Sequence, residues 1–452
     1  MNGSNSLTIE SALDAGHLSR LQIWIMVLCG AIALIDGFDT QAIAFVAPHI
    51  ASAWRVAPSS FGPVFGAGLL GSFAGALIMG PLGDRIGRKP ALLLSVSIFA
   101  AGSLITAFVS SVGVLIGMRF VTGFGLGGAL PCFIALASEY APKRRRESLV
   151  SLMFCGFPVG AVIGGLVSEG MVSLWGWQSV FIAGGLLPIA IAAVFIPVVP
   201  ESIGHLASRG RFAEIRQILA RMGLSASDDL MRAPPPLRVT VSRLFAEKRA
   251  AGTLLLWATL FLSLLLTYLL INWIPLVARA VGANVRAAVI AVSLLNLGAV
   301  CGCLVIGWLA DRYPPPRVIG CAYAAGAVAI FLIGQTQHSA VLLCATAFFA
   351  GVLSIGAQMC TVSFCASFYD TTVRSTGVGW AMGIGRFGAI VGPVLGGLLL
   401  SAGVDAAALF VTAAAVSIGA GGVMWVMALT VSDDPEHPGR FARVSSKRHL
   451  AD

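Results

Sequence analysis

Apolar residues run in long blocks along this chain, and polar residues are confined mostly to the gaps between them. A helix needs about 20 predominantly apolar residues to cross a bilayer, and runs of that length fall at roughly 22–47, 60–82, 91–110, 112–138, 149–171, 177–199, 252–278, 287–309, 318–336, 340–366, 376–402 and 405–431. The pattern predicts twelve membrane-crossing helices, called spans 1 to 12 in chain order. With an even number of crossings, both termini lie on the same side.

Composition agrees with that reading. Of 452 residues, 57% are hydrophobic and 11% charged, whereas soluble domains carry about 25% charged residues, so no soluble surface can be assembled. The 53 glycines recur inside apolar runs, where membrane helices use them for close packing. The fold class is an all-α polytopic membrane protein. Residues 1 to 20 are polar and the first apolar run is too long for a signal-peptide core, so span 1 is expected to be retained. The 9 cysteines sit in or beside apolar segments without a CxxC pair, and read as small apolar fillers rather than disulfides or metal ligands. No metal or cofactor is expected.

Charge adds an orientation. The net charge of +9 does not point to nucleic acid, because the basic residues collect in alternate loops. All but five of the 29 Lys and Arg fall on the side of the termini, the exceptions being Arg55, Arg279 and Arg286 on the opposite side and Arg119 and Arg386 inside spans. By the positive-inside rule both termini are cytoplasmic. The one long polar connection, 200–250, contains an amphipathic helix around "RFAEIRQILARM" and a break at "APPPL". It separates an N-terminal six-helix bundle, 1–199, from a C-terminal one, 251–431, followed by a cytoplasmic tail, 432–452.

The halves echo each other. "GPLGDRIGRKPALL" from Gly80 has a counterpart "GWLADRYPPPRVIG" from Gly307, "GAVIGG" from Gly160 recurs as "GAIVGP" from Gly388, and Arg146 matches Arg374, with displacements that agree to within one residue. Such agreement implies two homologous bundles around a central cavity, related by an axis along the membrane normal.

The loop residues Gly80, Asp84, Arg85, Gly87, Arg88 and Lys89 make the chain resemble the major facilitator superfamily over nearly its whole length. More narrowly, "DGFDTQAIAFVAP" in span 1, "RFVTGFGLGGALP" in span 4 and "RSTGVGWAMGIGRFGAIVGP" in span 11 resemble the aromatic acid:proton symporter family. That resemblance implies uptake of aromatic carboxylates with protons across a bacterial inner membrane, with Asp36 and Asp39 both in use. The second loop copy, Asp311 and Arg312, departs from the pattern with Pro314, Pro315 and Pro316 where a glycine and its neighbours would stand.

The charges inside spans are the candidate chemistry. A carboxylate at the bilayer centre costs about 2.5 to 3.5 kcal/mol on insertion scales, so two in one span call for a reason. Asp36 and Asp39 are three residues apart and share a helix face, which lets both face the cavity and serve as the proton-coupling pair. The competing reading is a fixed salt bridge to Arg119 or Arg386 without a transport role. A guanidinium can bind a carboxylate through two parallel hydrogen bonds, which makes Arg386 the first candidate for the substrate's acid group. Arg119 looks like the superfamily's span-4 arginine and serves either substrate or the contact between spans 1 and 4 or the proton path.

Asn272, Asn296 and Gln358 are candidates to hydrogen-bond a ring hydroxyl, and Phe38 and Trp273 to stack on the ring, with Pro275 expected to break the helix beside Asn272 and Trp273. Glu139, Asp84, Arg85, Arg88, Asp311 and Arg312 are expected to form the cytoplasmic gate, Glu139 joining the loop charges in the outward-open state.

Both "GFGLGG" and "GIGRFG" satisfy a dinucleotide-binding pattern but stand in apolar spans, so they are close-packing glycines. The six histidines, at loops, tails or span edges, and the lack of a Walker A sequence leave neither an intramembrane enzyme nor an ATP-driven pump supported. The expected function is proton symport of a small aromatic acid by alternating access, with the bilayer as the remaining partner and a monomer as the functional unit. The alternatives are a proton-driven efflux antiporter for amphipathic compounds and a sensor with a transporter fold.

Overall fold

A computed structural model describes residues 18–142, 149–150, 152–153, 155–224, 244–245, 249–280, 285–335, 339–369 and 374–432. The N-terminal tail, the basic cluster 143–146, the "APPPL" break and the C-terminal tail lie outside the described residues.

Twelve of the described helices are long and apolar enough to cross a membrane. In chain order the spans are Arg20–Trp54, Phe61–Ile86, Arg88–Thr106, Val112–Tyr140, Gly156–Trp175, Gln178–Val198, Ala250–Ala280, Val285–Ala310, Pro315–Gln335, then span 10 in three parts, then Arg374–Ser401 and Ala406–Ser432. Span 10 consists of Ala340–Ala350, a π-helical turn Gly351–Ile355, and Gly356–Phe368. Polar side chains mark several starts. Ser111 accepts from the N–H of Val114 at span 4, Ser339 from Leu342 at span 10 and Asp405 from Ala408 at span 12, each satisfying a donor that the first turn leaves open. Gly87, with φ of 109°, makes the sharp reversal between spans 2 and 3.

The chain divides into two compact units, one of Met1–Ala42, Ala67–Gly164 and Met171–Leu237, the other of Ile43–Gly66, Gly165–Gly170 and Arg238–Asp452. In the first unit, Ile25, Leu28 and Ile32 of span 1 pack with Leu92 and Val96 of span 3, Phe133 and Leu136 of span 4, and Phe195 of span 6. The amphipathic helix of the long connection is Phe212–Arg221, and it lays Ile215, Ile218 and Leu219 into the same core. For a water-facing helix, each such side chain contributes about 1.5–3 kcal/mol. In the second unit, Leu256 and Leu260 of span 7 pack with Tyr323 of span 9, Phe364 of span 10 and Met424 of span 12. This unit also takes in the ends of spans 1 and 2 remote from the loop motif, and the stretch Gly165–Gly170 within span 5. There a β-carbon built on Gly62 would stand 3.1 Å from the Cα of Gly397, and Phe65 meets Trp273 edge to face with ring centroids 5.7 Å apart.

The sequence repeat is reproduced in helix contacts inside each unit. Spans 2 and 4 approach so closely that a β-carbon on Gly71, Gly75 or Gly123 would overlap the carbonyl oxygen of Phe120, Phe124 or Gly68. In spans 8 and 10 the same three contacts pair Gly298 with Phe348, Gly302 with Val352 and Gly351 with Leu295. Likewise Gly160 meets the carbonyl of Leu34 between spans 1 and 5, as Gly388 meets that of Phe261 between spans 7 and 11. Small residues at these crossings let backbones touch, which substitutes for a hydrophobic driving force where lipid is as apolar as leucine.

Candidate functional site

Span 1 carries Asp39 into the packed interior of the first unit, where it is fully buried, with Asp36 8% exposed. Three other helices supply its surroundings. From span 4, Arg119 Nη2 donates to Asp39 Oδ2 at 3.1 Å and lies 3.4 Å from the Asp39 backbone carbonyl. From span 3, the Ser103 hydroxyl stands 3.0 Å from Asp39 Oδ1 and 3.1 Å from the Phe181 carbonyl of span 6. Span 6 also contributes Gly184, where a β-carbon would stand 3.0 Å from Asp39 Oδ1 and 2.9 Å from Ser103 Oγ, so a glycine leaves the carboxylate its place.

The ion pair is incompletely satisfied on its cationic side. Arg119 is 2% exposed, its guanidinium carbon lies 5.8 Å from the Phe181 ring centroid, and its Nε and Nη1 have no hydrogen-bond partner among the described residues. A buried donor without a partner costs about 1–3 kcal/mol, more when charged. A purely structural bridge is expected to engage the remaining donors, whereas a site that receives a further anion leaves them open. Asp36 accepts from the Thr40 hydroxyl at 3.2 Å, one turn along span 1, and Phe38 is buried near Gly184.

The candidates of the second unit are dispersed over four spans. Arg386 is half-buried on span 11 and Gln358 half-buried on span 10, shortly after the π-helical turn. Asn296 is buried on span 8 and its amide donates to the Val292 carbonyl at 2.9 Å. On span 7, Asn272 donates to the Tyr268 carbonyl at 2.7 Å, and the indole N–H of Trp273 donates to the Pro393 carbonyl at 3.0 Å. Span 7 runs unbroken through Pro275, contrary to the break expected from the sequence. A proline removes one intrahelical donor, and the packing of Trp273 against Phe65 and span 11 holds the helix across that gap.

The charges do not follow the repeat that the scaffold obeys. At the repeat displacement, Asp36 and Asp39 correspond to Ser263 and Leu266, Arg119 to Ala347, and Arg386 to Pro158. The ionisable chemistry is thus laid asymmetrically on a duplicated frame.

At the loop-motif end of the first unit, Asp84 and Arg88 form an ion pair and Arg88 Nη1 reaches the Gly80 carbonyl at 3.3 Å. The Arg85 carbonyl accepts from Arg209 at 2.6 Å. Glu139 accepts from the Ser202 hydroxyl at 2.6 Å and the Gly204 N–H at 3.1 Å, where the short helix Ile203–Ser208 begins. The carboxylate that touches the loop is Glu201, which accepts from the Lys89 N–H at 3.0 Å, while its backbone carbonyl accepts from the Tyr140 hydroxyl. In the second unit Asp311 and Arg312 are exposed, with Arg312 over the Trp308 ring at 3.8 Å.

Ser103, Gly184 and Glu201 escaped sequence reading because serine and glycine are common in membrane helices and a glutamate at a span edge reads as topology. His49 escaped it too. It lies within span 1, its Nε2 3.6 Å from Glu169 Oε2 of span 5.

A family model described as Major Facilitator Superfamily matches residues 29–385 and, in a second match, 256–450. The chain is 40% identical over 404 residues to the 4-hydroxybenzoate transporter PcaK of Pseudomonas aeruginosa, covering 88% of this chain and 90% of that protein. It is 37% identical over 385 residues to the 3-(3-hydroxy-phenyl)propionate transporter of Escherichia coli, covering 85% and 88%. Among solved structures, the xylose transporter XylE from E. coli, in a partially occluded inward open conformation, superposes with a TM-score of 0.70 at 17% identity, covering 90% of this chain and 98% of that one. That last likeness shows the fold.

Proposed function

The chain belongs to the major facilitator superfamily and, within it, to the aromatic acid:proton symporter family, and from that premise we propose that it imports a hydroxylated aromatic carboxylate together with protons. It is a multi-pass transporter rather than an enzyme, and its membrane is the bacterial inner membrane, with both termini cytoplasmic. Electrostatics favours coupling to protons. An anion entering a negative interior is opposed by about 2.3 kcal/mol per 100 mV, which one proton offsets and further protons exceed.

The single observation that carries this reading is the buried Asp39–Arg119 pair with two guanidinium donors left open. Ionised Asp39 holds Arg119 by charge. Protonation removes the charge and leaves a cation in a low-dielectric interior, where it attracts the incoming carboxylate. Deprotonation restores the pair and expels the anion. Arg386 clamps the substrate carboxylate, and Gln358 and Asn296 read the ring hydroxyl, since each has a polar group on a span of the second unit. Transport by alternating access is part of this reading.

Uptake of labelled benzoate, 4-hydroxybenzoate, protocatechuate and 3-hydroxyphenylpropionate into proteoliposomes tests the reading. Accumulation of at least one of them only under an inward proton gradient is expected. Gradient-driven extrusion of hydrophobic cations, with no acid accumulated, overturns it in favour of efflux. Arg386→Lys keeps the charge but loses the planar fork, so apparent affinity for the carboxylate is expected to fall about tenfold or more in the same assay. Unchanged affinity removes Arg386 from the substrate site.

A further inference from the structure

Ser103 stands where one hydroxyl serves two acceptors. Its oxygen is 3.0 Å from Asp39 Oδ1 and 3.1 Å from the Phe181 carbonyl, and it is fully buried. A hydroxyl has one proton to give and two lone pairs to receive with, so it cannot donate fully to both neighbours at once. With Asp39 ionised, the charged acceptor wins and Ser103 donates to Oδ1, because a hydrogen bond to a charge is about twice as strong as a neutral one. With Asp39 protonated on Oδ1, that new O–H donates to Ser103 Oγ, and the serine proton turns to the Phe181 carbonyl. Asp39 then keeps a partner on Oδ1 in both states, and the phenylalanine carbonyl is engaged in the protonated one. No covalent bond changes other than the O–H formed on the carboxyl.

We infer that Ser103 is a positioning residue for proton coupling, a hydroxyl rotor that gives the ionised and the protonated forms of Asp39 one hydrogen bond each and so keeps both accessible during the cycle. The inference rests on the reading of Asp39 as the coupling carboxylate. The surroundings leave the rotor as the adjustable element. From span 4 Asp39 faces Arg119, the only oppositely charged group among its described partners, and on its own span Asp36 lies one turn earlier. From span 6 it faces the bare backbone at Gly184, where even a methyl group would press on both Asp39 Oδ1 and Ser103 Oγ.

The test uses the full chain. Infrared difference spectra of the purified protein, titrated with pH, isolate the protonated-carboxyl band that is lost in Asp39→Asn. In Ser103→Ala the ionised form loses its stronger bond, so the proton is retained to higher pH and the midpoint moves up by about one pH unit. Ser103→Thr, which keeps the hydroxyl, keeps the wild-type midpoint. In proteoliposomes, Ser103→Ala loses net uptake at the acidic end of the internal pH range over which the wild type releases its proton, while exchange of internal for external substrate continues. An unmoved midpoint in Ser103→Ala, or an equal shift in Ser103→Thr, overturns the inference. A midpoint that shifts as expected in a protein that accumulates none of the acids leaves the rotor standing and removes the substrate reading instead.

Discussion

Asp39→Asn abolishes concentrative uptake while the protein still inserts, binds substrate and exchanges it. The amide is nearly the shape of a protonated carboxyl, with its oxygen in the Oδ2 place beside Arg119 and its NH2 in the Oδ1 place donating to Ser103 Oγ, so the variant is held in the proton-loaded condition and cannot complete a cycle that requires release. Asp39→Ala behaves differently. It leaves the Arg119 guanidinium buried with no anionic partner, and breaking such a pair from one side costs about 3–5 kcal/mol, so loss of folded protein accompanies loss of transport. Uptake and exchange in proteoliposomes, beside the yield of monodisperse protein, separate the two variants. Normal accumulation by Asp39→Asn returns the pair to the status of a fixed structural bridge.

Gly123→Val and Gly351→Val both collapse the fold, to similar extents. These residues occupy corresponding places in the two halves, and a β-carbon at either would overlap a backbone carbonyl oxygen, that of Gly68 or of Leu295. Backbone cannot rotate aside as a side chain can. Overpacking usually costs about 1–3 kcal/mol, and here the larger value applies because two helices must separate over a whole crossing. Gly422→Val, at a glycine with nothing within 4 Å of the built β-carbon, is the control and is expected to be tolerated. Thermal denaturation in detergent measures all three. Tolerance at one seam position but not at its counterpart would show that the repeated contacts are not equivalent in strength.

Local patterns in the chain foretell several features of this molecule. The amphipathic helix of the long connection announces itself in "RFAEIRQILARM", because a water-facing helix must separate its apolar from its polar side, and it occurs as Phe212–Arg221. The repeat announces itself through the displaced loop and glycine motifs, and its contacts recur at the atomic level. The expected break at Pro275 does not occur, since a helix lacking one hydrogen bond persists where its neighbours hold it. The π-helical turn at Gly351–Ile355 has no local signal, for no residue in "GVLSI" demands it. Glu139 carries the right kind of charge for the loop end, yet its carboxylate meets Ser202 and Gly204, and Glu201 is the one that touches the loop.

The sequence by itself determined the number of crossings, the side that gathers positive charge, the duplication and the presence of Asp36, Asp39, Arg119 and Arg386 inside spans. Each of these depends on the hydrophobicity or charge of residues near one another in the chain, and the bilayer reads those properties segment by segment. Only the tertiary structure decided that Asp39 pairs with Arg119, eighty positions away, and that Ser103 and Gly184 complete its surroundings. Partner choice follows from the rotation of each helix about its axis. In spans apolar on the lipid side and on the packed side alike, periodicity hardly distinguishes the two faces, so rotation is set by which small residues let the backbones meet.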